Sequence, residues 1–135
     1  MSDAISAVGE FGLIEAVTAR YPQGPEVLLG PGDDAALIAC PDGRVVATTD
    51  FMIEGRHFRR SWSEPYDIGR KAAARNLADV AAMGGRATAL LVALAAPAEL
   101  ELAWALAFAD GLREECQLVG ASVVTFAALV GVTLG

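Results

Sequence analysis

Residues 118–135 carry no charged side chain. An uncharged run of 18 residues is long enough to cross a bilayer. This one holds three glycines, a serine and two threonines, is rich in valine, and has no basic flank. It reads as two buried strands rather than a membrane span. Drawn out as one strand, residues 118–134 would reach about 55 Å at roughly 3.3 Å per residue. A domain of this length has a radius of gyration of only about 14 Å. A bend is therefore expected, although no Gly, Pro, Asn or Asp lies between Val123 and Leu129 to make one.

The rest of the chain is punctuated more clearly. Residues 9–20 read as an amphipathic helix with Phe11, Leu13, Ile14 and Val17 inward. Tyr21-Pro22-Gln23-Gly24-Pro25 ends it. A short strand over 26–29 enters the turn Gly30-Pro31-Gly32-Asp33-Asp34, and a second covers 35–39. Pro41-Asp42-Gly43-Arg44 is a hairpin signal, with a returning strand over 44–50. Residues 51–65 lack a period and form a long loop, a segment type that often carries function. A helix over 65–83 stops at Gly84-Gly85. A strand over 87–95 and a helix over 97–116 follow, with Pro97 in the first turn and Glu99 and Glu101 at the positive end. This order predicts one α+β domain over 1–135: a mixed or antiparallel sheet with helices packed on one face.

Seventeen acidic against ten basic residues give a net charge of −7. That excludes nucleic-acid binding through a broad basic surface. An anionic substrate would need cations to offset the repulsion. Cys40 and Cys116 are far apart, and with one histidine they make no zinc motif. They read as thiols of a reducing cytoplasm. Residues 1–4 show no basic start before an apolar run, so no secretory signal is expected.

Three stretches carry chemistry. In Gly30-Pro31-Gly32-Asp33-Asp34, the two carboxylates beside a tight turn either hold a metal or simply face solvent. Thr48-Thr49-Asp50 ends a strand, where hydroxyls and a carboxylate can ligate a cation or only lead into the loop. Asp79 lies four residues after Arg75, so an ion pair within the helix is one reading. Asn76 on nearly the same Ala-rich face favours a ligand role instead, because buried amides and carboxylates need partners. His57, with Arg56, Arg59 and Arg60 around it, is either solvated or set to meet a phosphate. No phosphate-binding P-loop and no nucleophile elbow occurs. Phosphoryl transfer needs neither: it needs positioning and charge neutralisation, with hard oxygen donors for Mg2+.

These segments resemble the N-terminal domain of the thiamine-monophosphate kinase family. The matches are Gly9-Glu10-Phe11, Gly30 to Ala36 (GPGDDAA), Thr48 to Phe58 (TTDFMIEGRHF) and Lys71 to Gly84 (KAAARNLADVAAMG). Aminoimidazole ribonucleotide synthetase and selenophosphate synthetase belong to the same superfamily, but the two longer matches favour the kinase. The resemblance implies ATP-dependent phosphorylation of thiamine monophosphate to thiamine diphosphate by direct transfer with Mg2+. It implies metal ligands at Asp34, Thr48, Thr49, Asp50 and Asp79, with Asp33 a further candidate beside them. It implies a substrate contact at His57 and no residue acting as a catalytic base. It also implies a homodimer whose N-terminal domains share a β-barrel.

Two departures bear on that expectation. The family's chain is more than twice as long, and its C-terminal domain, which completes the ATP and substrate sites, has no counterpart here. Little or no kinase activity is expected of these 135 residues alone. The family also carries Gly-Gly-Asp after the strand matching Ala121 to Val124, where Val124 here runs straight into Thr125. A loop lost at that junction is the expectation. A non-catalytic dimerisation or metal-binding module, or another ATP-dependent synthetase of the superfamily, are the alternative functions.

Overall fold

Gly69 and Gly111 set the centre of the molecule, by letting two helices touch backbone to backbone. The computed structural model describes residues 3–32 and 35–132. Helix α2 (Pro65–Ala82) and helix α3 (Leu102–Val119) cross at these glycines. A β-carbon on Gly69 would lie 2.1 Å from the Phe108 carbonyl oxygen, and one on Gly111 would lie 2.0 Å from that of Tyr66. Arg70 crosses the same seam to Glu115 at 2.6 Å. Pro65 opens α2 at a position whose missing N–H costs nothing. Gly84, at φ 75°, ends it with N–H bonds from Gly84 and Gly85 to the carbonyls of Ala81 and Val80.

Helix α1 (Ile5–Thr18) begins four residues earlier than its pattern predicts and kinks at Gly9, where φ is 74°. Its start is tied to the entry of α3 by bonds from Ile5 N–H to Leu100 O, 2.8 Å, and from Leu102 N–H to Asp3 O, 2.6 Å. Leu13 and Val17, one turn apart, are fully buried. Phe11 is 84% exposed, which corrects the expected inward set. At 3.6 residues per turn it sits about 200° around the helix from Leu13, on the far side from the core.

Strands β1 (Val27–Leu29) and β2 (Leu37–Ile38) pair antiparallel, while β3 (Ala89–Ala96) and β4 (Ser122–Val130) pair parallel. Among the described residues these are two separate two-stranded sheets, not the single mixed sheet expected. The parallel direction follows from the helical crossover α3 between β3 and β4. Helices α1 and α3 both pack on β4. Strand β2 already has β1 as its partner. Residues 44–50 accordingly form no strand, although 41–43 do turn, with Gly43 N–H on Cys40 O at 3.0 Å.

The uncharged C-terminal run is also divided differently. Helix α3 takes Leu118 and Val119, Gly120 stops it at φ 75°, and one nine-residue strand follows without a bend. The junction at Val124 instead shows a register shift: Leu90 faces Val123 and Leu91 faces Thr125, leaving Val124 as an extra, buried residue. The loop after α1 is stitched to this place. Gln23 Nε2 donates to Val123 O at 2.9 Å, and Gly24 N–H donates to the buried Ser122 Oγ at 2.8 Å. Among the described residues, no helix is long and apolar enough to cross a membrane.

Tyr21 marks a weak point in this core. Its ring is buried, and among the described residues its hydroxyl has no hydrogen-bond partner. Burial pushes the phenol well above its ordinary pKa, helped by the nearby Cys116 and Asp110. A buried hydroxyl without a partner costs about 1–3 kcal/mol. Tyr21→Phe is therefore expected to raise the unfolding free energy by roughly 1 kcal/mol, read as a higher urea midpoint at unchanged slope. A lower midpoint would show that the hydroxyl is bonded.

Candidate functional site

The loop between residues 50 and 64 is aperiodic in sequence but held at several points. Glu54 and Arg60 form a forked pair, with Arg60 Nε at 3.0 and 2.8 Å from the two carboxylate oxygens and Arg60 N–H at 3.2 Å from Oε2. Hydrogen bonding to Arg60 holds the Glu54 carboxyl below the usual carboxylate range. Whatever the pair contributes is present above the ordinary carboxylate pKa and is lost as the pH falls through the lowered value. Gly55 N–H bonds Phe58 O at 2.8 Å, and Arg59 lies over the Trp62 ring at 4.9 Å.

His57 is fixed from three sides. Ile53 N–H donates to its Nδ1 at 3.0 Å, its own N–H donates to Ile53 O at 2.9 Å, and Phe51 meets its ring edge-on. Lys71, from the second turn of α2, donates its ammonium to the His57 carbonyl oxygen. With Nδ1 accepting, the proton of the neutral ring sits on Nε2, which is left as a donor. Arg56, His57, Arg59, Trp62 and Lys71 line a groove of about 240 Å³. That is below the usual size of a complete small-molecule pocket and suits one end of a ligand. A wider cleft of about 750 Å³ lies beside it, between Arg59, Arg60 and the Glu99–Glu101–Trp104 side of α3.

Asp50 is half-buried and uses both oxygens. Oδ1 accepts Phe51 N–H at 2.8 Å, and Oδ2 faces Arg75 Nη2 at 3.0 Å. Sequence spacing offered Arg75 only Asp79, four residues on, as one reading and did not point to Asp50, because a contact between a loop and a helix leaves no fixed interval. Thr48, Thr49 and Asp79 are exposed. Asn76 Nδ2 bonds back to Ala72 O at 2.9 Å, so neither Asn76 nor Asp79 is a buried group in need of a ligand. Asp33 and Asp34 lie outside the described residues. Among the described residues, no three His, Cys, Asp or Glu side chains converge as a metal cage. The donors are all oxygens, the type Mg2+ takes. In this structure the cation facing Asp50 is the Arg75 guanidinium.

Residues 32–126 match the family model described as "AIR synthase related protein, N-terminal domain". A thiamine-monophosphate kinase of Mycobacterium tuberculosis (strain H37Rv) is 49% identical over 123 residues, 91% of this chain and 37% of its own. That of Corynebacterium glutamicum is 35% identical over 133 residues, covering 93% and 39%. The crystal structure of thiamine-monophosphate kinase from Stenotrophomonas maltophilia K279a superposes with a TM-score of 0.73 at 35% identity, over 88% of this chain and 37% of that one. The chain thus spans under two-fifths of the length of these relatives.

Proposed function

The chain belongs to the AIR synthase related protein family, whose N-terminal domain it contains, and on that premise we propose that it is the N-terminal part of a thiamine-monophosphate kinase. The observation that carries this reading is the 49% identity to a curated kinase across nine-tenths of the chain. The reaction would join a phosphate oxygen of thiamine monophosphate to the terminal phosphorus of ATP, with ADP leaving. A phosphate monoester is largely ionised at neutral pH, so no side chain need remove a proton. Positioning and charge neutralisation carry such a reaction.

Asp50, Asp79, Thr48, Thr49 and Asp34, with Asp33 beside them, would hold Mg2+. Bound there, the cation would offset the charge of two anionic reactants. The groove supplies contacts for one end of the substrate. Nε2–H of His57 donates to a phosphate oxygen, and Arg56, Arg59 and Lys71 outnumber the one carboxylate there, Asp67, making the groove positive within an acidic protein. Its small volume fits the phosphate end of the substrate, with the remainder of the site lying elsewhere. The unpaired thiols, Cys40 exposed and Cys116 buried, suit the cytoplasm. A second copy of the chain is the partner for the bare apolar side of β3 and β4.

Calorimetry on the 135-residue protein tests the groove. With Mg2+ present, thiamine monophosphate is expected to bind, and His57→Ala to weaken it by about 10- to 100-fold, the worth of a charge-assisted hydrogen bond. Unphosphorylated thiamine should bind weakly and not respond to His57→Ala. Equal binding of the two compounds, or indifference of thiamine monophosphate to His57→Ala, would sink the assignment.

A further inference from the structure

We propose that Arg75 occupies the cation position at Asp50, so that a divalent cation binds there only by displacing the guanidinium. The inference rests on the reading of Asp50 as a metal ligand. Both carboxylate oxygens are engaged, Oδ2 by Arg75 at 3.0 Å and Oδ1 by the Phe51 N–H at 2.8 Å. A cation reaching Oδ2 meets the Arg75 guanidinium there.

The arrangement is exchangeable. The two side chains are 34% and 29% exposed, and an ion pair reached by solvent in this way is weak. A dication attracts the carboxylate twice as strongly at equal distance. Arg75 opposes it in two ways of the same sign, by competing for the oxygen and by repelling a second positive charge. Arg75 also stands one turn before Asp79 on α2, so the guanidinium that must leave lies next to the second candidate ligand. Asp79 itself is exposed and makes no ion pair among the described residues, leaving it open to the arriving cation.

Mg2+ titration by calorimetry, and Mn2+ titration by water proton relaxation, test this on the 135-residue protein. Arg75→Met keeps the stem and removes the charge. It is expected to tighten cation binding by roughly 3- to 10-fold, and the gain should vanish in the Arg75→Met/Asp50→Asn double variant. In the unmutated protein, the Arg75 guanidinium NMR signal should shift as Mg2+ is added. Equal or weaker binding by Arg75→Met, while Asp50→Asn still reduces it, overturns the proposal and leaves the metal reading standing. Arg75 would then be a clamp that sets Asp50 for the cation. Cation binding that ignores Asp50→Asn in both backgrounds overturns the metal reading and this inference with it.

Discussion

Gly111→Ala is expected to destabilise the protein by at least about 3 kcal/mol, the upper range for overpacking. The added methyl would lie 2.0 Å from the Tyr66 carbonyl oxygen and 2.9 Å from Arg70 N. Both obstacles are backbone atoms of α2, so no side chain can turn aside. The helices would have to separate, loosening Ile68, Phe108 and Leu112, which are buried around the crossing. Helix propensity pulls the other way, since alanine gains about 1 kcal/mol over glycine inside a helix. The clash outweighs it. Single domains are stable by about 5–15 kcal/mol in all, so the variant should show a large drop in its urea midpoint or fail to accumulate as folded protein. Gly69→Ala opposes the Phe108 carbonyl oxygen at 2.1 Å and should behave alike. Because both substitutions open one seam, the double variant should cost less than the sum. An unchanged midpoint for Gly111→Ala would mean that the helices do not meet this closely.

Leu91→Glu is expected to turn a dimer into a monomer. On one side of the β3–β4 ladder, Leu91, Ala93 and Ala95 stand across from Thr125, Ala127 and Leu129. Leu91 is 69% and Leu129 59% exposed. Neighbouring apolar side chains on a sheet face usually mark a surface that is covered in the working protein. Each of the two strands also has only one neighbour among the described residues. A second copy would cover the face, and closure into a barrel would use the open edges. A carboxylate buried in the middle of such a contact costs several kcal/mol, so the dimer should weaken at least about 100-fold. Light scattering after gel filtration should give twice the chain mass for the unmutated protein and the single mass for Leu91→Glu, with an unchanged circular dichroism spectrum. A monomeric unmutated protein at tens of micromolar would end the proposal of a second copy. A Leu91→Glu dimer would place the contact on another face.

The parts of the fold readable in sequence were those with local causes. Pro65 at one end and Gly84-Gly85 at the other bounded α2 within a residue, because caps act over a single turn. Strand β3 and helix α3 were visible for the same reason, though α3 both starts and ends later than its pattern suggested. What failed depended on distant partners. Residues 44–50 have strand composition but lost their partner to β1. Phe11 has a core side chain but follows a kink that only Gly9 could permit. Gly69 and Gly111 carried a usable signal, since glycine in a helix interior is unfavourable and calls for a packing reason. In the site, Asp50 and His57 were singled out in advance and do sit in one organised loop region. Arg75 was weighed only as a helix partner of Asp79, its contact with Asp50 being out of reach of spacing, and Lys71 was noticed only as part of a motif.

The stitch between Gln23 and Val123 sets a schedule for synthesis. Helix α1 leaves the ribosome well before β4, the strand it packs on, which is made a hundred residues later. At about 5–20 residues per second, that is a wait of roughly 5–20 s. During it, α1 lacks β4, and for most of it α3 as well, so Leu13 and Val17 are short of the surfaces that bury them. A nascent chain halted before β4 should therefore expose α1 to proteases or a holding chaperone, and become protected only once residues near 130 have emerged.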